Sequence, residues 1–218
     1  MEHPPDDVNN CDDLDLVAVS QANAANHKEY EFEQDLVYGR SDYVFNDSED
    51  SEEEEEEDGQ NPNEPPILKA AQRGNLTLVE ELLRHDPSCV NVADDDGYTP
   101  LHRAAQSNRI EVLKCLIENG AQIDARTVDG WQAIHSAAQW GHVRILLILV
   151  AMGADINART NGGNSPFHLA VTRPTNRQLI EYMLFLDEVD LEAVNDANDT
   201  AYDICKRNSR LYKLWELL

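Results

Sequence analysis

The fold of this chain is decided by the stretch GYTPLHRAA at residues 97–105, because that stretch recurs at a fixed interval. It returns as GWQAIHSAA at residues 130–138 and as GNSPFHLA at residues 163–170, which places His102, His135 and His168 at equal spacing. Internal repetition with a period of about 20 to 50 residues is the signature of a stacked repeat architecture. In such an architecture each unit buries its apolar face against its neighbours.

The second half of the unit repeats as well, since NGAQIDA at residues 119–125 matches MGADINA at residues 152–158. Within a unit, Pro100 suits the first turn of a helix, where its missing N–H would have no partner anyway. Apolar residues at helical spacing follow over 110–117, and Gly120 is placed to end that second helix. The sequence therefore predicts two short helices per unit.

These motifs, repeated with a period of about 33 residues, resemble the ankyrin-repeat family, whose T-P-L-H-x-A signature has this period. The resemblance implies an all-α fold, an ankyrin-repeat solenoid of helix-turn-helix repeats with β-hairpin-like turns. The last unit follows at a slightly longer interval, which indicates a two-residue insertion near Pro174. We expect a repeat domain over 66–218, divided into an N-terminal capping repeat (66–95), three repeats (96–128, 129–161 and 162–195) and a C-terminal capping repeat (196–218).

Residues 1–65 differ sharply in composition from the rest of the chain. They contain 22 of the 42 acidic residues and only two basic ones, so they account for 20 of the 25 net negative charges. The run Glu52–Asp58 is acidic without interruption. Such a segment repels itself too strongly to form a core, and we predict a disordered acidic arm. Ser48 and Ser51 lie in this acidic context and are candidate phosphorylation sites.

Several classes of protein are disfavoured by what the sequence contains. The first ten residues are acidic and Pro-containing, unlike a signal peptide, and the longest apolar run, Ile145–Met152, is too short to span a bilayer. The four cysteines are far apart and form no C-x-x-C pair. We therefore expect a chain that is not secreted and has no membrane span, with reduced thiols, in the nucleus, the cytoplasm or both.

The search for reactive chemistry predicts no catalytic residue, no metal site and no cofactor. There is no phosphate-binding Gly-rich loop, no H-E-x-x-H and no nucleophile motif. The periodic histidines would lie about 10 Å apart in a stack, which is too far for one ion to join them, so we expect each imidazole to be hydrogen-bonded within its turn. A net charge of -25 opposes direct binding of nucleic acid and would attract a partner with a basic surface.

The resemblance implies that partners are recognised on a concave surface, by residues of the turns and inner helices that the fold itself does not require. Large aromatic residues at such positions are typical interface anchors, which singles out Trp131 and Trp140, although each ring could instead only cover a neighbouring repeat. The predicted partner-binding residues are Asp95, Tyr98, Gln106, Arg126, Val128, Trp131, Gln139, Trp140 and Arg159.

A second candidate face lies on the outer helix of the third repeat. Leu147 and Ala151 occupy the positions that Lys114 and Glu118 hold one repeat earlier, so this helix lacks the charges expected on a solvated face. Either the acidic arm or a second partner covers it, or these apolar residues are simply exposed, as many are in folded proteins.

Two functions remain open at this point. The first is a non-enzymatic, monomeric adaptor that binds a partner protein through the concave surface. The second is a nuclear transcription co-regulator, in which the acidic arm is the effector segment and the repeats provide targeting; alternation of acidic and apolar residues in the arm favours it only on composition.

Overall fold

The computed structural model describes residues 64–217, with the side chains of residues 216 and 217 left aside. The predicted acidic arm lies outside this part of the chain except for Glu64 and Pro65, and so do Ser48, Ser51 and Cys11. The described residues form a stack of paired helices, and they contain no β-strand beyond one isolated bridge between Val194 and Thr200.

Five inner helices pack one on the next along the stack. They are α1 (Pro66–Arg73), α3 (Pro100–Gln106), α5 (Ala133–Trp140), α7 (Pro166–Ala170) and α9 (Ala201–Asn208). Each of the first four is followed by an outer helix, namely α2 (Leu76–His85), α4 (Ile110–Glu118), α6 (Val143–Ala151) and α8 (Arg177–Leu184). Short 3-10 helices span Pro87–Asn91, Pro174–Asn176 and Leu211–Leu217. This is the all-α repeat architecture that the periodic sequence predicts.

Local sequence explains where the helices begin and end. Proline occupies the first turn of α1, α3 and α7, where no hydrogen bond is lost. Gly74 and Gly141 end α1 and α5 with φ values of +82° and +76°, a region that side chains with a Cβ rarely adopt. Gly120, predicted to end the second helix of its repeat, follows α4 with φ of +86°.

The core runs along the stack between the inner and outer helices. Ala104, Ala105, Ala137 and Ala138 are fully buried, because only small side chains allow the inner helices to approach closely. The longest apolar run of the sequence lies mostly in α6, where Ile145 is fully buried. Among the described residues, no helix is both long enough and apolar enough to cross a membrane.

The C-terminal end of the stack is closed by aromatic rings. The ring centroid of Trp215 lies 5.6 Å from that of Phe167 in α7 and 5.5 Å from that of Tyr202 in α9. Tyr212 adds an edge-on contact to Tyr202 at 6.2 Å. The last part of the segment predicted as the C-terminal capping repeat forms a 3-10 helix.

Candidate functional site

The three periodic histidines each link the start of their own helix to the turn that follows in the stack. The Nδ1 atoms of His102, His135 and His168 accept hydrogen bonds from backbone N–H groups at the start of their own helices, at 3.0 to 3.2 Å. Their Nε2 atoms lie 3.0 to 3.1 Å from carbonyl oxygens of the following turn. Because Nδ1 accepts, the proton is on Nε2, which donates to the carbonyl. The predicted bond within the turn is present, and a second bond to the following turn accompanies it. This second bond reaches the next repeat from His102 and His168, and it reaches Ala158 at the end of the same repeat from His135.

Burial controls the protonation of these imidazoles. It lowers the pKa of His102 and His168 and brings the pKa of His135 down to about 4, because the charged ring would lose its hydration. The hydrogen bonds to backbone carbonyls oppose this effect only in part. All three rings are therefore neutral near pH 7, and both nitrogens are occupied. Residues 64–217 contain no cluster of three or more His, Cys, Asp or Glu side chains that could hold a metal ion.

The described cysteines are also poorly reactive. Cys89 and Cys115 are half-buried, Cys205 is buried, and none of the three forms a disulfide. Burial raises the pKa of each thiol above its ordinary value. Since the thiolate is the reactive form, these positions are poorly suited to nucleophilic chemistry.

The turns between repeats are linked to one another at their tips. The N–H groups of Val128, Asn161 and Asp196 donate to the carbonyl oxygens of Asp96, Asp129 and Gly162, at 2.9 to 3.1 Å. Val128 is 69% exposed, and Asp95 is exposed beside the first of these links. The tips therefore form a continuous edge with a rigid backbone and outward-facing side chains.

Two of the predicted contact residues have roles within the stack. Arg126 Nη2 donates to the carbonyl oxygen of Arg159 at 2.5 Å, and Arg159 Nη1 donates to that of Val194 at 2.5 Å. Both arginines are exposed, yet each guanidinium group is held by the backbone of the next repeat. A partner would therefore meet them in fixed positions.

Tyr98 is half-buried on its own repeat. Its ring packs edge-on against His102 with centroids 5.7 Å apart, and the guanidinium of Arg103 lies 4.8 Å from its centroid. Arg103 is held in turn by Asp94 at 2.7 Å and Glu64 at 3.8 Å. Tyr98 thus covers its neighbours as much as it faces outward.

The two predicted tryptophan anchors lie at opposite ends of α5. Trp131 precedes the helix and is half-buried, with its ring 6.4 Å from that of His135. Trp140 is the last residue of the helix and is 41% exposed. The guanidinium of Arg173 lies over the Trp140 ring at 3.8 Å from the centroid. Arg173 was not predicted from the sequence, although it falls one full repeat after Trp140, because it adjoins the insertion at Pro174.

The predicted glutamines occupy the same end of the inner helices as Trp140. Gln139 Oε1 accepts a hydrogen bond from the Thr172 hydroxyl at 3.3 Å, which links α5 to the end of the next inner helix. Gln106 Oε1, one repeat earlier, is buried and has no hydrogen-bond partner among the described residues. Gln139, Trp140, Thr172 and Arg173 thus form a connected group, which we call the Trp140 cluster.

On the outer side, Leu147 is half-buried in α6 and Ala151 is exposed at its end. Met152 follows at 50% exposure. No described residue covers this end of α6, and the second face stays a prediction.

Comparison with known protein families matches two models of ankyrin repeats to this chain, over residues 23–127 and 116–170. The matches and the stacked helix pairs agree, and the chain belongs to the ankyrin-repeat family. Ankyrin repeats are protein-interaction modules and are typically non-catalytic.

Among individual proteins, the chain is similar to ankyrin repeat domain-containing protein 49 from Homo sapiens, with 51% identity over 152 residues, and from Bos taurus, with 49% identity over 152 residues. Each match covers 70% of this chain and 64% of the relative, so the chain spans less than two thirds of these relatives' length. A shorter stretch of 60 residues is 42% identical to serine/threonine-protein kinase VIK from Arabidopsis thaliana, covering 28% of this chain and 14% of that protein. Repeats of this kind thus occur in proteins of different activity, and the repeat alone does not specify a partner.

Proposed function

We propose that the chain is a non-enzymatic adaptor that binds a partner protein through the face formed by its turn tips and inner helices, with the Trp140 cluster as the main anchor. The observation that supports this most is the ring of Trp140, 41% exposed and stacked with Arg173 at 3.8 Å. Neither side chain is needed to fill the core.

The stacking favours binding for an energetic reason. A cation over the face of a tryptophan is worth about 0.5 to 1 kcal/mol at an exposed site, so the pair is held in place before a partner arrives. Side chains that are already ordered lose less conformational freedom on binding. Trp and Arg are also among the residues most enriched at the positions that dominate interface energies.

The turn tips favour a partner with basic side chains opposite them. Asp95, Asp96 and Asp129 are exposed there, and no Lys, Arg or His nitrogen among the described residues lies within 4 Å of their carboxylates. A basic surface would be steered to this edge, with a rate that falls as salt is added.

The test compares two exposed aromatic side chains in the same protein. Tagged full-length chain, Trp140→Ala and Phe185→Ala are expressed in cells, and co-purifying proteins are quantified by mass spectrometry. Phe185 is 66% exposed at the end of α8 and outside the Trp140 cluster, which makes it a matched control. We expect Trp140→Ala to reduce a specific partner at least tenfold, and Phe185→Ala to retain it.

Unchanged recovery with Trp140→Ala, while circular dichroism shows an intact fold, would overturn the assignment of Trp140 as the anchor. Photo-crosslinking from a reactive amino acid placed at position 139 would give a second measurement. A partner that crosslinks from position 185 and not from 139 would locate binding on the outer helices instead.

The transcription co-regulator remains the alternative, and it rests on the composition of residues 1–65. It requires that segment to activate a reporter gene when tethered to a DNA-binding domain, whereas the adaptor function does not. A matched segment with its glutamates replaced by glutamines is the control for charge.

A further inference from the structure

The edge of the stack where each inner helix meets the next repeat is closed three times by one kind of hydrogen bond. The residue just before an outer helix donates a side-chain hydrogen bond to a backbone carbonyl oxygen. That carbonyl lies near the end of the inner helix of the preceding repeat. Arg109 reaches Gln72 at 3.1 Å, His142 reaches Gln106 at 3.0 Å, and Asn176 reaches Gln139 at 3.1 Å.

The fourth junction, between the last full repeat and the C-terminal cap, departs from this series. Arg210 immediately precedes the final 3-10 helix, as Asn176 immediately precedes α8, so it holds the corresponding position. Its side chain makes no hydrogen bond or ion pair with any described residue. No described residue closes the edge here, and a groove of about 400 Å³ lies beside Arg210.

The groove combines an apolar floor with basic walls. Pro174, Leu211 and Leu214 provide apolar surface, while Arg177, Arg210 and Lys213 provide positive charge, and we call these six residues the cap groove. Leu214 is 8% exposed, which makes it part of the protein core beneath. The three basic side chains are all exposed.

Most of the positive charge of the cap groove is not neutralised by any side chain that the structure describes. Arg177 pairs with Glu181 at 2.7 Å, but no described carboxylate lies within 4 Å of Arg210 or Lys213. This local excess occurs in a chain with a formal net charge of -25. Basic residues placed around an apolar floor are suited to an acidic ligand that also carries an apolar group.

We propose that the cap groove binds an acidic peptide segment of a partner protein. Glutamate or aspartate side chains pair with Arg210 and Lys213, and an apolar side chain between them rests on Pro174 and Leu211. The guanidinium fork of Arg210 matches the two oxygens of a carboxylate. This is a second binding site. It prefers an acidic ligand, whereas the acidic turn tips prefer a basic one. Because the charges are exposed, each ion pair contributes weakly and binding is in the micromolar range or weaker.

The test uses the full-length chain and a fluorescein-labelled peptide of about twelve residues, made of glutamates with one central leucine. Fluorescence anisotropy is recorded at about 0.15 M salt, where the Debye length is about 8 Å and distant repulsion by the acidic chain is screened. We expect saturable binding of this peptide and no binding of the same peptide with glutamine in place of glutamate.

The double variant Arg210→Ala/Lys213→Ala should bind the peptide about fivefold to tenfold more weakly, as the loss of two exposed ion pairs implies. The matched control is Arg84→Ala/Arg144→Ala, which removes two exposed basic residues from outer helices α2 and α6 and should bind as the unmodified chain does. Circular dichroism and the urea midpoint establish that both variants remain folded.

Three results would overturn the proposal. They are the absence of saturable binding to the unmodified chain, an equal loss of affinity in the two double variants, and tighter binding of a single-stranded RNA of similar length that the groove variant abolishes. The last result would assign the same basic residues to nucleic acid instead of an acidic peptide.

Discussion

The last junction of the stack differs from the first three on the edge opposite the turns. On the turn side His168 bonds to Asp199 as His102 bonds to Trp131, and His135 bonds to Ala158 in the turn that leads to the next repeat. On the opposite edge the side chains of Arg109, His142 and Asn176 close the first three junctions, and the fourth is left open. One closed edge, together with aromatic packing, is therefore sufficient to attach a capping repeat. On the other edge, no described residue closes the last junction, and this is where we propose that a ligand binds.

We expect the largest effect on stability when a hydrogen bond on the turn side of the stack is removed. Replacement of His135 by alanine removes a ring that is 0% exposed and leaves the Gln132 N–H and the Ala158 carbonyl without their partner. We expect the free energy of unfolding to fall by about 3 kcal/mol, from a cavity and unpaired buried groups together. Urea unfolding followed by tryptophan fluorescence measures the loss.

The control for that variant is His85→Ala, which removes an exposed histidine at the end of α2. It should change the midpoint little, since surface substitutions are usually within about 0.5 kcal/mol. Similar losses in the two variants would contradict the role of the periodic histidine as a link between its helix and the following turn.

The same bonds make the stack sensitive to mild acid. The pKa of His135 is about 4 in the folded chain and about 6.5 when exposed, so the unfolded state takes up the proton first as the pH falls. Stability contributed by this group is thus present above about pH 6.5 and is lost between that pH and 4. From pH 7 to pH 5 we expect a loss of about 2 kcal/mol from His135. The lowered pKa values of His102 and His168 act in the same direction.

Urea midpoints between pH 7 and pH 5 measure this loss in the unmodified chain and in two variants. His135→Gln should flatten the pH dependence, whereas His85→Gln should leave it unchanged. A pH dependence that survives His135→Gln in full would assign it to other groups. The lowered pKa values of Asp86, Asp199 and Asp203 make those carboxylates lose stabilising bonds only at lower pH.

A variant of Asn176 tests how much the side-chain hydrogen bonds at a closed junction contribute to stability. This residue is 4% exposed, and its Nδ2 lies 3.0 to 3.2 Å from the carbonyl oxygens of Ala138, Gln139 and Ala170. We expect Asn176→Ala to lower the free energy of unfolding by about 1.5 kcal/mol, because buried carbonyl groups lose a donor. Urea unfolding measures it, and Gln178→Ala, an exposed residue of α8, is the control. An effect no larger than that of the control would show that the edge bond is dispensable.

The repeat itself was predictable because its physics is local and periodic. His102, His135 and His168 mark the start of each inner helix, and Gly120 marks the end of an outer one, so the period locates the helices. The sequence also indicated an irregularity near Pro174, where the structure has a 3-10 helix. A periodic pattern cannot predict the contacts that form where the repeat is interrupted.

The residues that the sequence analysis missed lie at that break or beside it. Arg173 precedes Pro174, Asn176 is the last residue of the 3-10 helix, and Arg210 lines the same groove as Pro174. The signal available for Arg173 was its distance of one full repeat from Trp140. Conversely, Arg126 and Arg159 were predicted for a partner from their positions alone, and only coordinates reveal that their guanidinium groups bond to the next repeat.

The smallest expected effect on stability is at Arg210, the open counterpart of Asn176. Since its exposed side chain forms no hydrogen bond or ion pair with a described residue, Arg210→Ala should change the free energy of unfolding by less than about 0.5 kcal/mol. Urea unfolding of Arg210→Ala and Asn176→Ala under the same conditions compares the loss of unfolding free energy at the two corresponding positions. A loss as large as that of Asn176→Ala would mean that Arg210 closes its junction in solution, and the cap groove would then not be free to receive a peptide.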